Sequence, residues 1–246
     1  MFKGRLSSLR RSFTSPEADS SSNETKEESG RSSFFDEEPL PEVSFHGYAA
    51  TTKHRLLTPE ISDEVRNQMP TRIQLYPDWQ LLYSLEQDGA SLHSLYGKVA
   101  PDAKNPGRVG YVLLIEDRKG GIFGAYTNEP FRPTERKRYY GNGECFLWKI
   151  EKAATINIGN AKASCSRSSD HHWRFRSYPF TGLNEFVIYC TSEFLSMGAG
   201  NGHYGLWCDS SLINGVSDPS LTFGNDVLSR EGNKFHIVNL EVWRVG

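Results

Sequence analysis

The chain has 246 residues, with 28 Lys+Arg against 30 Asp+Glu and a formal net charge of -2. That balance argues against a dedicated nucleic-acid binder, which carries a basic face, and no run approaches the roughly 20 apolar positions that a membrane-spanning helix needs. Hydrophobic residues make up 37%, low for a chain folded throughout, and the four dispersed cysteines read as thiols of a reducing compartment rather than a disulfide framework.

Met1 to Phe13 carries Lys3, Arg5, Arg10 and Arg11 and no acid, while Phe2, Leu6, Leu9 and Phe13 recur at helical spacing. A basic, amphipathic, acid-free start has the character of a mitochondrial transit peptide. It equally fits a helix lying on an anionic membrane surface, or a frayed basic tail. Residues 14–42 are rich in Ser, Glu and Asp, from Ser15-Pro16-Glu17 to Asp36-Glu37-Glu38, with only Phe34, Phe35 and Leu40 available for burial. So little apolar surface does not offset the cost of ordering the backbone, and a disordered acidic linker is expected. The folded part is expected over residues 43–246.

Thr58-Pro59-Glu60 reads as a helix start: a capping Thr, Pro at the first helical position and an acid in the first turn. Ile61, Val65 and Met69 follow on one face, and Pro70 stops the helix. Gly89 to Ala100 predicts a second helix, with Leu92, Leu95, Tyr96 and Val99 on one side. Strands are expected at Trp79–Leu85, Val109–Glu116, Ile122–Tyr126, Glu144–Ile150, Glu185–Thr191, Tyr204–Asp209 and Lys234–Val245, with Arg118-Lys-Gly-Gly121 as a hairpin turn. Residues 151–177 are more polar and are expected to be a long surface loop. Many short strands between Gly, Asn and Pro turns predict an α+β, mainly β fold: a two-sheet antiparallel β-sandwich flanked by a few helices.

Chemistry-bearing motifs are few. Gly200-Asn-Gly-His-Tyr-Gly205 matches G-x-G-x-x-G, but the apolar Leu206-Trp207-Cys208 follows where a dinucleotide site needs a helix N-terminus. These glycines therefore read as turn and packing residues. Cys145 and Cys190 sit in apolar strands, as buried thiols do. Cys165 lies near Arg167 in the polar loop, and Cys208 lies at a strand end. These two are the candidates for a reactive thiol, although no C-x-x-C is present. Asp170-His171-His172 lacks the i, i+4 spacing that aims two ligands at one metal ion, so neither metal nor cofactor is expected. Glu144, Glu185 and Glu241 lie in or beside apolar strands and are either raised-pKa bases or structural acids.

Gly141-Asn-Gly-Glu-Cys-Phe-Leu-Trp148, Asn184-Glu-Phe-Val-Ile-Tyr189, Ser196 to Asp209, Thr222-Phe-Gly-Asn225 and Leu240-Glu-Val-Trp-Arg244 form an ordered series. Asp78-Trp79-Gln80 and Asp88-Gly89-Ala90-Ser91-Leu92 precede it. From about Leu57 to Gly246 this resembles the TLDc-domain family, specifically its short fungal oxidation-resistance proteins. The resemblance implies a β-sandwich and protection from oxidative damage without an accepted enzymatic activity. It also implies association with the V-type proton ATPase through its peripheral subunits, the fungal members being linked to disassembly. A mitochondrial location is implied for some members, with a cytoplasmic or vacuole-surface pool as the alternative; the basic amphipathic pattern of residues 1–13 separately allows peripheral membrane contact.

The residues expected to carry the family's structural motifs are Gly143, Glu144, Trp148, Glu185, Gly205, Trp207, Gly224, Asn225, Glu241 and Trp243. The expected partner-binding loop is Gly198, Gly200, Asn201, Gly202 and His203. The alternative to a non-enzymatic interaction module is a thiol antioxidant or redox sensor that uses Cys165 or Cys208.

Overall fold

A computed structural model of the chain describes residues 40–101, 109–134, 138–152 and 173–246. Met1 to Phe13, most of the expected linker, Cys165 and Asp170-His171-His172 lie outside these residues.

Strand β1 (Ser44–His46) opens the fold, followed by α1 (Pro59–Gln68) and α2 (Thr71–Gln74). Next come β2 (Asp78–Ser84), α3 (Leu85–Asp88), α4 (Leu92–Val99), β3 (Gly110–Asp117), β4 (Ile122–Thr127), β5 (Phe146–Lys152) and β6 (Trp173–Pro179). Strands β7 (Ile188–Cys190), β8 (Phe194–Gly200), β9 (His203–Asp209), β10 (Asn214–Val216) and β11 (Lys234–Val245) complete it. The first sheet runs β6-β5-β4-β3-β11-β2 and the second β11-β10-β9-β8-β7, so β11 belongs to both. It pairs with β10 through Lys234–His236, becomes irregular between Ile237 and Asn239, and then pairs with β3 and β2 as far as Val245. A bulge that bends a strand is how one chain segment passes from sheet to sheet.

The mainly β, antiparallel fold with a few helices is as expected. The pairings are antiparallel except for β1 with β2, which run parallel. The expected hairpin is present, with Asp117 Oδ1 accepting from Lys119 N at 2.9 Å and Gly121 N at 2.7 Å. Helix α1 starts as its sequence dictates: the Thr58 hydroxyl accepts from Ile61 N and Pro59 occupies the first position. The second helix begins at Leu92 rather than Gly89, because Ser91 caps it by accepting from Ser94 N at 3.3 Å. Two four-residue helices, α2 and α3, had no periodic signal of their own.

Four strands depart from expectation. Trp173–Pro179, placed partly in the 151–177 loop, pairs along its length with β5. Its alternating half-exposed pattern reflects an edge strand, which tolerates Arg174, Arg176 and Ser177. Strands β1, β8 and β10 were also unforeseen.

The core lies on both faces of the first sheet. Leu113, Ile115, Phe123, Ala125 and Leu147 meet Ile188, Leu195, Met197, Leu206 and Cys208 of the second sheet in one cluster, closed by Leu92 and Leu95 of α4. On the opposite face Val112, Leu114, Trp148 and Trp243 pack with Ile61, Val65 and Met69 of α1. This explains why β3 is one continuous apolar run: alternate residues enter two different cores.

Candidate functional site

Among the described residues the acids, thiols and histidines do not converge. Glu144 pairs with Arg72 of α2. His203 Nδ1 lies 3.5 Å from Asp218, and Cys208 is 1% exposed inside the core between the sheets. Burial pushes the Cys208 thiol up, and the Asp209 carboxylate adds to it. Cys145 is pushed up to about 11, again first by burial, although hydrogen bonds involving Asn128 and Asn142 act the other way. Burial likewise raises Cys190. A thiolate is the reactive species, so Cys208 is corrected from candidate nucleophile to core residue. Among the described residues no group of three or more His, Cys, Asp or Glu is arranged to hold a metal ion.

Glu241 is the one fully buried carboxylate among the candidate acids. Its Oε1 accepts from Leu56 N at 3.0 Å, its Oε2 accepts from Trp243 Nε1 at 2.9 Å, and the Tyr48 hydroxyl reaches both oxygens at 3.0 and 2.9 Å. Burial raises its pKa, and these hydrogen bonds only partly offset that. Burial and the adjoining Glu241 raise Tyr48 as well, so its hydroxyl stays a donor. The carboxylate fastens the segment around residues 48–57 to central strand β11. It is a structural acid.

Other motif residues also build the scaffold. The Asn225 side chain accepts from Ser220 Oγ at 2.6 Å and donates to the carbonyls of Asp218 at 2.9 Å and Asp226 at 3.0 Å. A Cβ on Gly205 would come within 2.8 Å of Leu147 Cδ1, while Gly143 adjoins the Phe180 ring and Gly224 takes a φ of +58°. Trp148 and Trp243 are fully buried. Glu185 and Trp207 are different: Glu185 is exposed, and Trp207 is half-buried on the outer face of the second sheet.

That outer face is aromatic. Phe194 pairs in register with Asp209, and Ser196 with Trp207, while Leu195 and Cys208 between them point into the core. The Phe194 ring lies 6.0 Å from both Trp207 and Tyr204, and 5.6 Å from Tyr189. Tyr139 continues the row, 5.2 Å from Tyr189 and 4.7 Å from Phe186. These rings are half-buried or exposed. At one end the row meets an indentation of about 490 Å³ lined by Glu129, Arg138, Tyr139, Phe180 and Glu185. Phe186, 42% exposed, is joined there by Leu183 at 72% and Leu221 at 45%, Leu221 lying against Gly200.

The expected partner loop borders this face. Gly198 and Gly200 belong to β8 and His203 opens β9, so the loop proper is Asn201-Gly202. Both turn residues have positive φ, 54° and 81°, and Gly200 pairs with His203, which is the geometry of a tight type I′ hairpin. It is a tight two-residue hairpin turn. Tyr139, Tyr189, Phe194 and Tyr204 were missed as candidates. The available signal was an aromatic immediately before each of the buried Cys190, Leu195 and Cys208, namely Tyr189, Phe194 and Trp207.

Residues 50–246 match the family model of the TLDc domain. The chain is 56% identical over 249 residues to oxidation resistance protein 1 of Kluyveromyces lactis, covering 100% of this chain and 99% of that relative. It is 61% identical over 219 residues to oxidation resistance protein 1 of Saccharomyces cerevisiae, covering 86% of this chain and 80% of that relative. The protein of the same name from Candida glabrata is 53% identical over 267 residues, with coverages of 99% and 98%. The chain belongs to the TLDc family.

Proposed function

We propose that this TLDc-family chain protects cells from oxidative damage as a non-enzymatic protein-interaction module, by binding peripheral subunits of the V-type proton ATPase and promoting its disassembly. The observation that carries the reading is the contrast between two surfaces. Among the described residues the reactive groups are dispersed or buried, whereas a row of large rings from Phe186 to Trp207 stands on an outer sheet face. Contiguous exposed aromatic area is typical of partner contacts. The names of the relatives from Kluyveromyces lactis and Saccharomyces cerevisiae support the oxidative role. The ATPase as partner is what the family resemblance implies.

The basic amphipathic Met1–Phe13 supports a mitochondrial pool. The ATPase-binding pool belongs to the cytoplasm or the vacuole surface. Removing residues 1–13 should empty the first pool and spare the second. Affinity capture of the tagged protein, with and without peroxide, tests the main reading. ATPase peripheral subunits should co-purify, and their absence in both conditions overturns the choice of partner. Peroxide consumption by the purified protein above that of a Cys165→Ser variant would replace binding with chemistry.

A further inference from the structure

We infer that the aromatic outer face of the second sheet is a docking surface for a basic segment, one bearing arginine or lysine, of a protein partner. The inference rests on the interaction-module reading and names the chemistry of its partner. Tyr139, Tyr189, Phe194, Tyr204 and Trp207 are half-buried rings gathered side by side, and a ring face attracts a cation.

The charges around the rings decide the sign. Glu185 precedes Phe186 and lines the adjoining indentation. Glu193 precedes Phe194, and Asp209 lies across from Phe194 on the same face. Asp218 borders Tyr204, whose carbonyl accepts from the Asp218 amide at 2.9 Å. Asp209 stays ionised: burial alone would raise it, but hydrogen bonds from Asn214, Ile213 and Ser211 hold it below the usual carboxylate range. Against these four carboxylates stand Arg138 beside Tyr139 and Lys234 at the far edge, with His203 engaged by Asp218. An acid-rimmed aromatic face attracts guanidinium and ammonium groups and repels phosphate, so it fits a basic polypeptide and disfavours nucleic acid or an anionic membrane. Exposed acids beside Phe186 and Phe194 also leave an arginine free to stack on a ring while pairing with a carboxylate.

The test titrates the full chain with a short synthetic peptide alternating arginine with leucine, and with the same peptide carrying neutral citrulline in place of arginine. Fluorescence polarisation of the labelled peptide reads binding. The arginine peptide should bind about tenfold more tightly than the citrulline peptide, and Trp207→Ala should cost about tenfold. Neutralising the rim with Glu185→Gln and Glu193→Gln, two exposed positions, should weaken binding roughly fivefold. Arg138→Gln should strengthen it, a sign that neither apolar docking nor a folding defect predicts. Equal binding of the two peptides, or no response to the rim variants, overturns the inference. Capture of purified ATPase peripheral complex separates this from the broader reading. If wild type and the rim and Trp207 variants capture it equally, the partner docks elsewhere and only this inference falls. If wild type captures nothing, the ATPase reading falls while the peptide titration still decides the chemistry of the face.

Discussion

Replacing Tyr48 by Phe removes one hydroxyl and leaves the ring. That ring packs edge-on against Trp243 at 5.1 Å and carries Arg55 at 4.7 Å above its centre, contacts that phenylalanine keeps. What is lost is the donor to both oxygens of Glu241. A hydrogen bond to a charged, buried acceptor contributes about 1.5–3 kcal/mol, and to a neutral one about 1 kcal/mol. The effect should therefore depend on pH. Folding raises the pKa of Glu241, chiefly through burial. For a carboxyl whose folded value exceeds its unfolded value, the folded state holds the extra proton; its contribution is complete below the unfolded value and is lost as pH rises through the folded value. Removing the Tyr48 donor lifts the folded value further, so Tyr48→Phe should lose more stability at about pH 8 than at about pH 4, with a plateau once both proteins are ionised. Urea unfolding followed by tryptophan fluorescence at the two pH values measures this. A deficit that is the same at both, or below about 0.5 kcal/mol at neutral pH, refutes the assignment of Glu241 as a structural acid held by Tyr48.

Three further outcomes follow from the packing. Trp243→Ala empties a fully buried site on the strand shared by both sheets and should cost about 3–5 kcal/mol in chemical denaturation. A melting curve like wild type would contradict it. Gly198→Ala forces a side chain onto a φ of +69° and sets its Cβ 2.7 Å from the Phe223 ring, for a loss of at least about 2 kcal/mol; Gly202→Ala, at a φ of +81° but with open space around it, should cost only the backbone strain, about 1–2 kcal/mol. Cys145, Cys190 and Cys208 should resist alkylation at neutral pH in the folded Cys165→Ser protein and react on unfolding, as buried thiols with raised pKa values do. Rapid native labelling of any of them would be the opposite result.

The elements legible in the sequence were those whose residues report burial directly. Val112 to Ile115, and Leu240, Val242, Trp243 and Val245 of the last strand, are apolar because successive residues enter the cores on the two faces of the sheet. Thr58-Pro59 shows its cap in the residues themselves. Strand β8 was hidden because Ser196-Met-Gly-Ala-Gly200 reads as flexible chain. Its glycine at 198 is there for Phe223 and Ser220, which approach from distant sequence. Strand β6 was hidden because an edge strand can carry Arg174 and Arg176 without penalty. The candidate face was legible only in part. Trp207 stood out by type, but Tyr139 reaches Tyr189 through the Tyr140–Ile188 bridge and Phe194 reaches Tyr204 through the pairing of β8 with β9, both of them long-range.

The central claim is that protection flows through contacts made by the outer sheet face rather than through a reaction. It is tested most directly by survival in peroxide of cells whose own copy carries Trp207→Ala with Tyr204→Ala, once the purified double variant has been shown to melt as wild type does. Survival should fall to the level of cells lacking the gene, while Cys165→Ser cells survive normally. Full survival with the face removed, or sensitivity caused by Cys165→Ser alone, would contradict the account.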